Sequence, residues 1–535
     1  MTMKSKNIIK LMALMALSLG FVSCSDTWDD HYDERPASAD KTLLQLIKED
    51  SSLSDFLQLL QNTHLYNNNH RTNVTYADLL DCDQSLTVWA PKNGTFDIES
   101  LLKECATEQG DSMTGQHIVG NHIAHTLFLS TKLDTQLGYI RMHNNKQIVI
   151  EDMPSCLSTD IPARNGLLNI VGEALPYSYN LYECLTSMDN AAHIGRFLKK
   201  YERQELDENA SIQRGIEDGK KVYSDSVMIR ENILFRTFGK ISDEDSSYVA
   251  FLPTEEIWKD ALDEASPYFY YGEGAVADSI SQYWKNLLLM QDLFYNWNEQ
   301  TSISDSIRST SYSSRTPEYN VYYRPLSDDG ILSPKYVNGE QECSNGTIYH
   351  MHAWPFTKEQ LYFRPVKVEG EREANIIESK DCTFNNRSVR ADSVSGNGYL
   401  DIVPRTATSN WTATFEIANT LSGTYDICAV ILPKTVFNAF SRDVKPNKFI
   451  ATLNYVDSLG NKSQAVFKEE KSNDPYRVDT VTIGRFTLPV CNYGQPDSKV
   501  SLQLQCSVKN SQVKFSREMY LDCVYLKPVR KEEGK

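Results

Sequence analysis

Three histidines, His117, His122 and His125, stand close together inside GQHIVGNHIAH. If that segment is helical, His122 and His125 share a face, and imidazoles so placed can hold a metal. A zinc site of the H-E-x-x-H kind adds a glutamate between its histidines, and none stands here. We read the three as structural histidines and expect no metal. His350 and His352 alternate along a strand-like run and read as packing and rim residues. A glycosidase needs two carboxylates held across a cleft, and pairs such as Asp29-Asp30 or Glu255-Glu256 point to none. There is no G-x-S-x-G and no phosphate loop. The expectation is a protein with no catalytic residues and no cofactor.

Aromatic residues are the second chemical resource: 29 Tyr, 20 Phe and 7 Trp. Sugars stack their apolar C–H faces on such rings, so exposed aromatics suit a polysaccharide ligand. The densest stretches are PYFYYGEG and YWKNLLLMQDLFYNW. In the second, Trp284, Leu287, Leu288 and residues 290–294 fall at helical spacing and read as core. Tyr268, Tyr270 and Tyr271 in the first are candidate ligand-binding residues. So are Trp411 and Tyr399, at the ends of strand-like runs.

Stepping outward, the chain of 535 residues is 41% hydrophobic and 23% charged, a globular composition. It opens with Lys4, Lys6 and Lys10, then an apolar run over residues 8–22. That run falls short of the roughly 20 residues a membrane span needs and reads as a signal peptide. Phe21-Val22-Ser23-Cys24 resembles a bacterial lipobox, which implies a lipid anchor on Cys24. The acidic tract that follows is similar to the surface-export signal of lipoproteins in glycan-feeding Gram-negative anaerobes. We expect residues 1–23 to be a signal peptide and 24–37 an acidic linker. The mature protein would then be lipid-anchored in the outer membrane, facing the exterior.

Loss of the leader takes the formal charge from −17 to −20. Nucleic-acid binders carry basic faces, so no nucleic-acid partner is expected. Ten cysteines remain besides Cys24, with no C-x-x-C among them. Cys428, Cys506 and Cys523 sit in strand-like runs, where a thiol packs as a small hydrophobe, and we expect mostly free thiols.

The elements that would carry these residues recur. Residues 41–61 have helical periodicity, and LTVWAPKNGTFDIESLL reads as strand, turn and helix. GQHIVGNHIAHTLFLS reads as helix and YIRMHNNKQIVIEDM as a hairpin turning at Asn144-Asn145. NGLLNIVGEALP closes the block. SSYVAFLPTEEIW and NGTIYHMHAWP repeat its opening and closing strands. Pro91 and Pro253 lie 162 residues apart, and Asn165 and Asn345 lie 180 apart. The excess is assigned to a polar loop over residues 299–318.

The run from Leu86 to Phe96 resembles the first signature of fasciclin domains. Asn121-His122-Ile123 resembles part of the second, and Asn165 to Pro176 the closing strand. Residues 38–178 and 179–365 are thus read as tandem fasciclin-like α+β domains. From residue 366 short strand-like runs follow one another: GYLDIVP, WTATFEI, GTYDICAVILP, KFIATLNYV, YRVDTVTIGRFTLPV, KVSLQLQCSV and EMYLDCVYLKPV. This pattern suggests an all-β sandwich over residues 366–535, similar to the jelly-roll modules of carbohydrate-binding proteins.

The resemblances imply a non-catalytic surface protein for adhesion or binding, of glycan or of partner proteins. The setting would be a nutrient-uptake system with a TonB-dependent transporter and its lid lipoprotein. The alternatives are a structural accessory subunit of such a transporter that binds no sugar, and a glycan hydrolase.

Overall fold

A computed structural model of the chain describes residues 40–529, apart from 68–69, 132–138, 151–152, 207, 209–210, 218, 226–227, 297–304, 312–320, 443 and 497–498. The leader, Cys24 and the acidic linker lie outside the described residues. Among those described, no helix is long and apolar enough to cross a membrane.

Two buried parallel strand pairs organise the first two-thirds of the chain. Leu86–Pro91 pairs with Gly166–Val171, Leu86 opposite Gly166 and Pro91 opposite Val171. Tyr248–Pro253 pairs with Gly346–Met351 in the same register, Tyr248 opposite Gly346 and Pro253 opposite Met351. Every residue of Leu86–Pro91 and of Tyr248–Pro253 is buried. That is why both sequences are near-continuously apolar instead of alternating. The first pair sits in a four-stranded sheet with Ile123–Ala124 and Cys156–Ala163 at its edges; the second sits in a six-stranded sheet.

One asparagine ties each unit together. Asn165 Oδ1 accepts from the Leu43 N–H at 2.8 Å, and its Nδ2 donates to the Leu80 and Cys82 carbonyls. Asn345 repeats this, accepting from the Leu181 N–H at 2.9 Å and donating to the Ile241 and Asp243 carbonyls. Each therefore satisfies a helix N-terminus that would otherwise be an orphan donor. Glycine must follow each: a Cβ on Gly166 or Gly346 would stand 2.0 Å from the carbonyl oxygen of Leu86 or Tyr248. The helices so latched, Leu43–Glu49 and Leu181–Ser187, both begin with a capping box.

The units differ in their insertions. After its second helix the first has a short hairpin, His64–Asn67 with His70–Thr75. The second has a longer β-ribbon over residues 202–232 at that point. The polar stretch expected as a loop contains a strand, Ser306–Ser309, that extends the six-stranded sheet. The rest of it falls partly outside the described residues.

The expected helix through GQHIVGNHIAH is also corrected. Helical turns end at His122, and Ile123–Ala124 is a strand, so His122 and His125 share no helix face. The Asn144-Asn145 hairpin is present, with Asn145 at φ 65°.

The last third is a two-sheet sandwich, all antiparallel. One six-stranded sheet has the order Cys382–Ser388, Gly398–Pro404, Met519–Pro528, Gly423–Ile431, Asp479–Leu488, with Val366–Glu369 also paired to Met519–Pro528. The other runs Ile376–Lys380, Thr412–Glu416, Ser501–Cys506, Lys448–Val456, Lys462–Ser472. Leu400, Ile402, Ile427, Leu521 and Leu526 face Phe415, Phe449, Leu453, Leu502 and Leu504 in one core. The molecule is thus multidomain, with two sheet-and-helix units followed by a β-sandwich.

Candidate functional site

The aromatic residues singled out from sequence part into three places. Trp411 is only 1% exposed, and its indole N–H donates to the Arg517 carbonyl at 2.6 Å. It is core, not a rim contact. Strand alternation puts it on the same face as Ala413 and Phe415.

Tyr268, Tyr270 and Tyr271 form a strap between the second unit and the sandwich. The Tyr268 carbonyl accepts from the Ser422 N–H at 3.0 Å, and the Tyr270 carbonyl accepts from the Cys491 N–H at 2.6 Å. The Tyr271 hydroxyl donates to the Tyr493 carbonyl at 2.9 Å. The Tyr268 ring packs 4.5 Å from Phe363. Only Tyr270 is exposed in the group. These residues join domains, and Tyr271 also lines a cleft of about 320 Å³ beside the joint. That cleft is lined by Glu273, Asp457, Gln495 and Lys499 as well as Tyr455. Asp457 is engaged there by its own turn, accepting from the Leu459 and Asn461 N–H groups.

Tyr399 lies in the third place, on the outer face of the sandwich. Alternation along Gly398–Pro404 sends Leu400 and Ile402 inward and Tyr399 and Asp401 outward. Phe437, from the loop after Gly423–Ile431, stacks on Tyr399 at 5.0 Å and 14°. Tyr520 meets Phe437 edge-on at 4.7 Å. Tyr399 is therefore buried beneath a ring that is itself 37% exposed, and Phe440, three residues on, is 94% exposed.

Beside this stack Asp401 is 7% exposed, and its Oδ1 has no hydrogen-bond partner among the described residues. Asn385 Nδ2 donates to the other oxygen at 3.3 Å, and Arg387 Nε lies 4.0 Å from it. Burial pushes the Asp401 carboxyl above its ordinary value, against the pull of the Asn385 hydrogen bond. A buried acceptor left unpaired costs about 1–3 kcal/mol. What this face offers a ligand is the open side of the Phe437 ring, with Phe440 nearby in sequence.

Sequence reasoning missed Asp401, Phe437 and Phe440. The available signal was two phenylalanines three apart in the polar loop KTVFNAFSRD, which has no core periodicity.

The histidines make structural bonds. His122 Nδ1 donates to the Ile118 carbonyl at 2.7 Å and Nε2 accepts from the Leu175 N–H at 2.9 Å, so both nitrogens are used. Burial pulls its pKa down to about 4. His117 stacks on Tyr177 at 4.0 Å, and His125 packs against His143. His350 is half-buried on its strand and His352 is exposed beyond it.

Among the described residues, Glu369, Asp522 and Cys523 bring donor atoms within 4.8 Å of one another. Ser395 already ties the carboxylates, its hydroxyl donating to Glu369 at 2.5 Å and its N–H to Asp522 at 3.1 Å. Burial pushes Asp522 up to about 6 and the Cys523 thiol far above its ordinary value.

No protein-family model matches the chain, and no curated protein matches it. Parts of it resemble solved structures. The CBM22-1 and GH10 modules of Clostridium thermocellum endo-1,4-beta-D-xylanase 10B, complexed with xylohexaose, are 14% identical with a TM-score of 0.21. That match covers 31% of this chain and 29% of the xylanase chain. A CBM35 from Cellvibrio japonicus Abf62 is 13% identical with a TM-score of 0.19, covering 30% of this chain and 92% of that one. A CBM22 xylan-binding domain is 12% identical with a TM-score of 0.19, with the same 30% and 92% coverage.

Proposed function

We propose that this is a non-catalytic polysaccharide-binding protein whose ligand lies on the outer face of the sandwich. The observation that carries the reading is the Phe437 ring, stacked on Tyr399 by one face and 37% exposed. A sugar ring would rest on the open face of Phe437. Phe440 would meet the next residue of the chain. In this reading Cys24 carries the lipid, residues 24–37 form the spacer, and the units at 38–178 and 179–365 are tandem fasciclin-like domains. They hold the sandwich at 366–535 away from the outer membrane, beside a TonB-dependent transporter and its lid lipoprotein.

Affinity electrophoresis of the whole chain against a panel of plant and microbial polysaccharides tests it. Retardation by one class is expected. Phe437→Ala should weaken it about tenfold, equal to about 1.4 kcal/mol. No retardation by any polysaccharide, or retardation untouched by Phe437→Ala, would sink the proposal.

A second reading, an accessory subunit that binds no sugar, is favoured by the ribbon of the second unit. Ile212 and Ile216 lie four residues apart there and are both well exposed. Co-purification with a transporter, lost in an Ile212→Ser, Ile216→Ser variant that binds no polysaccharide, would favour it.

A further inference from the structure

Cys184 and Cys343 are 159 residues apart in sequence, yet their sulfurs stand 3.3 Å from each other. Cys184 is buried on the helix Leu181–Ser187, and Cys343 is half-buried at the end of the strand Val337–Cys343. The backbones approach for reasons independent of sulfur. The Ser344 N–H donates to the Tyr179 carbonyl at 2.9 Å, and Asn345 Oδ1 accepts from the Leu181 N–H at 2.9 Å. Both bonds pin the helix start to the strand end within five residues of the two thiols.

Other thiols are placed differently. Those of Cys82, Cys382 and Cys428 have carbonyl oxygens as partners; Cys184 also faces the Tyr179 carbonyl, at 3.9 Å, but has a second sulfur beside it. The internal copy also differs. Counting from the matched asparagines and the matched helix caps, the first unit has Leu46 and Ala163 at the equivalent places, both in its apolar core. The fold does not require sulfur there, and only the second unit brings two thiols together.

We infer that Cys184 and Cys343 are a disulfide site that closes the second unit with a covalent bond between its first helix and its last hairpin. The sulfurs need to close by roughly 1.2 Å to reach bonding distance, a movement within reach of side-chain rotation. The Cys343 S–H points at the Cys184 sulfur, so the pair is already aligned sulfur to sulfur.

The oxidant is a small-molecule or protein disulfide. The half-exposed Cys343 attacks it, losing its proton and releasing one thiol. The Cys184 thiolate then attacks the Cys343 sulfur of the mixed disulfide and releases the second thiol. Two protein thiols and one disulfide become one protein disulfide and two thiols.

The test uses the whole chain, prepared reduced and then incubated with oxidised glutathione. Non-reducing digestion and mass spectrometry should find the Cys184 and Cys343 peptides joined, two hydrogens lighter. The oxidised protein should melt roughly 5–10 °C above the reduced one in the transition that contains the second unit. Cys184→Ser should leave Cys343 as a glutathione adduct, with no rise in melting temperature. Free alkylation of both cysteines in the oxidised, folded protein would overturn the inference. So would an adduct at Cys343 that Cys184 never resolves. The comparison of reduced and oxidised wild type decides the matter even if the variant does not fold.

Discussion

Where the first unit meets the second, one buried lysine ammonium lies between two glutamates. Lys146 is 2.6 Å from both Glu183 and Glu244. Gln147 adds a hydrogen bond to the Glu244 carbonyl, and Arg141 pairs with Asp245. Where the second unit meets the sandwich, rings carry the contact. Phe363 lies 4.5 Å from Tyr268 and 5.3 Å from Tyr425, and Trp284 lies 4.9 Å from Tyr493.

The cores follow the joints. The apolar core runs unbroken from the second unit into the sandwich, whereas the first unit keeps cores of its own. An ionic joint fixes orientation, because its desolvation cost offsets much of its attraction. An apolar joint merges stabilities, since its area is removed from water once for both partners. The second unit and the sandwich should therefore unfold together, and the first unit by itself.

The largest expected effect is at the aromatic joint. Phe363→Ala should cost about 4 kcal/mol and split the shared calorimetric transition in two. A single transition that merely shifts would mean the rings do not couple the domains.

Lys146→Ala should cost about 3 kcal/mol, because two carboxylates are left facing each other in a buried place. Its loss should appear in the first unit's transition and leave the shared one unmoved. An effect spread over both transitions would break the contrast.

The smallest effect is a pH dependence at the ionic joint. Burial against Tyr177 lowers the pKa of His117, an effect that Glu183 opposes and Lys146 reinforces. A histidine held below its ordinary value binds fewer protons folded than unfolded. Stability should therefore rise with pH through the window between the lowered value and the ordinary 6.5, and fall on acidification. His117→Gln should remove its share of that slope, as followed by thermal melts across the window, and leave the larger share of His122 and His143, both held down to about 4 by burial. A slope unchanged in the variant would assign it elsewhere.

The sandwich was legible where its strands are central. GYLDIVP, KFIATLNYV and EMYLDCVYLKPV read as strands and are strands. The reading missed Ile376–Lys380, Cys382–Ser388 and Lys462–Ser472, which are sheet edges. KSQAVFKEEKS shows why: charged side chains protect an exposed edge from pairing with other chains and hide the strand pattern.

The site was legible only in part. Parity along WTATFEI already sends Trp411 inward with Ala413, Phe415 and Ile417. Parity also sends Tyr399 outward, which is correct, yet Phe437 covers it from 38 residues away. No local pattern reports a cover supplied by a distant loop.

The asparagine latches set a clock for a chain made from its N-terminus. Asn165 grips the N-H of a residue 122 positions earlier, and Asn345 one 164 positions earlier. At roughly 10 residues per second, each leading helix waits on the order of 12–16 s before its partner is even synthesised. Until then the helix has its capping box and little else, and helices this short are marginal alone. Each unit is therefore finished by its last strand. A ribosome stalled just short of either asparagine would hold a nearly complete unit that cannot yet close.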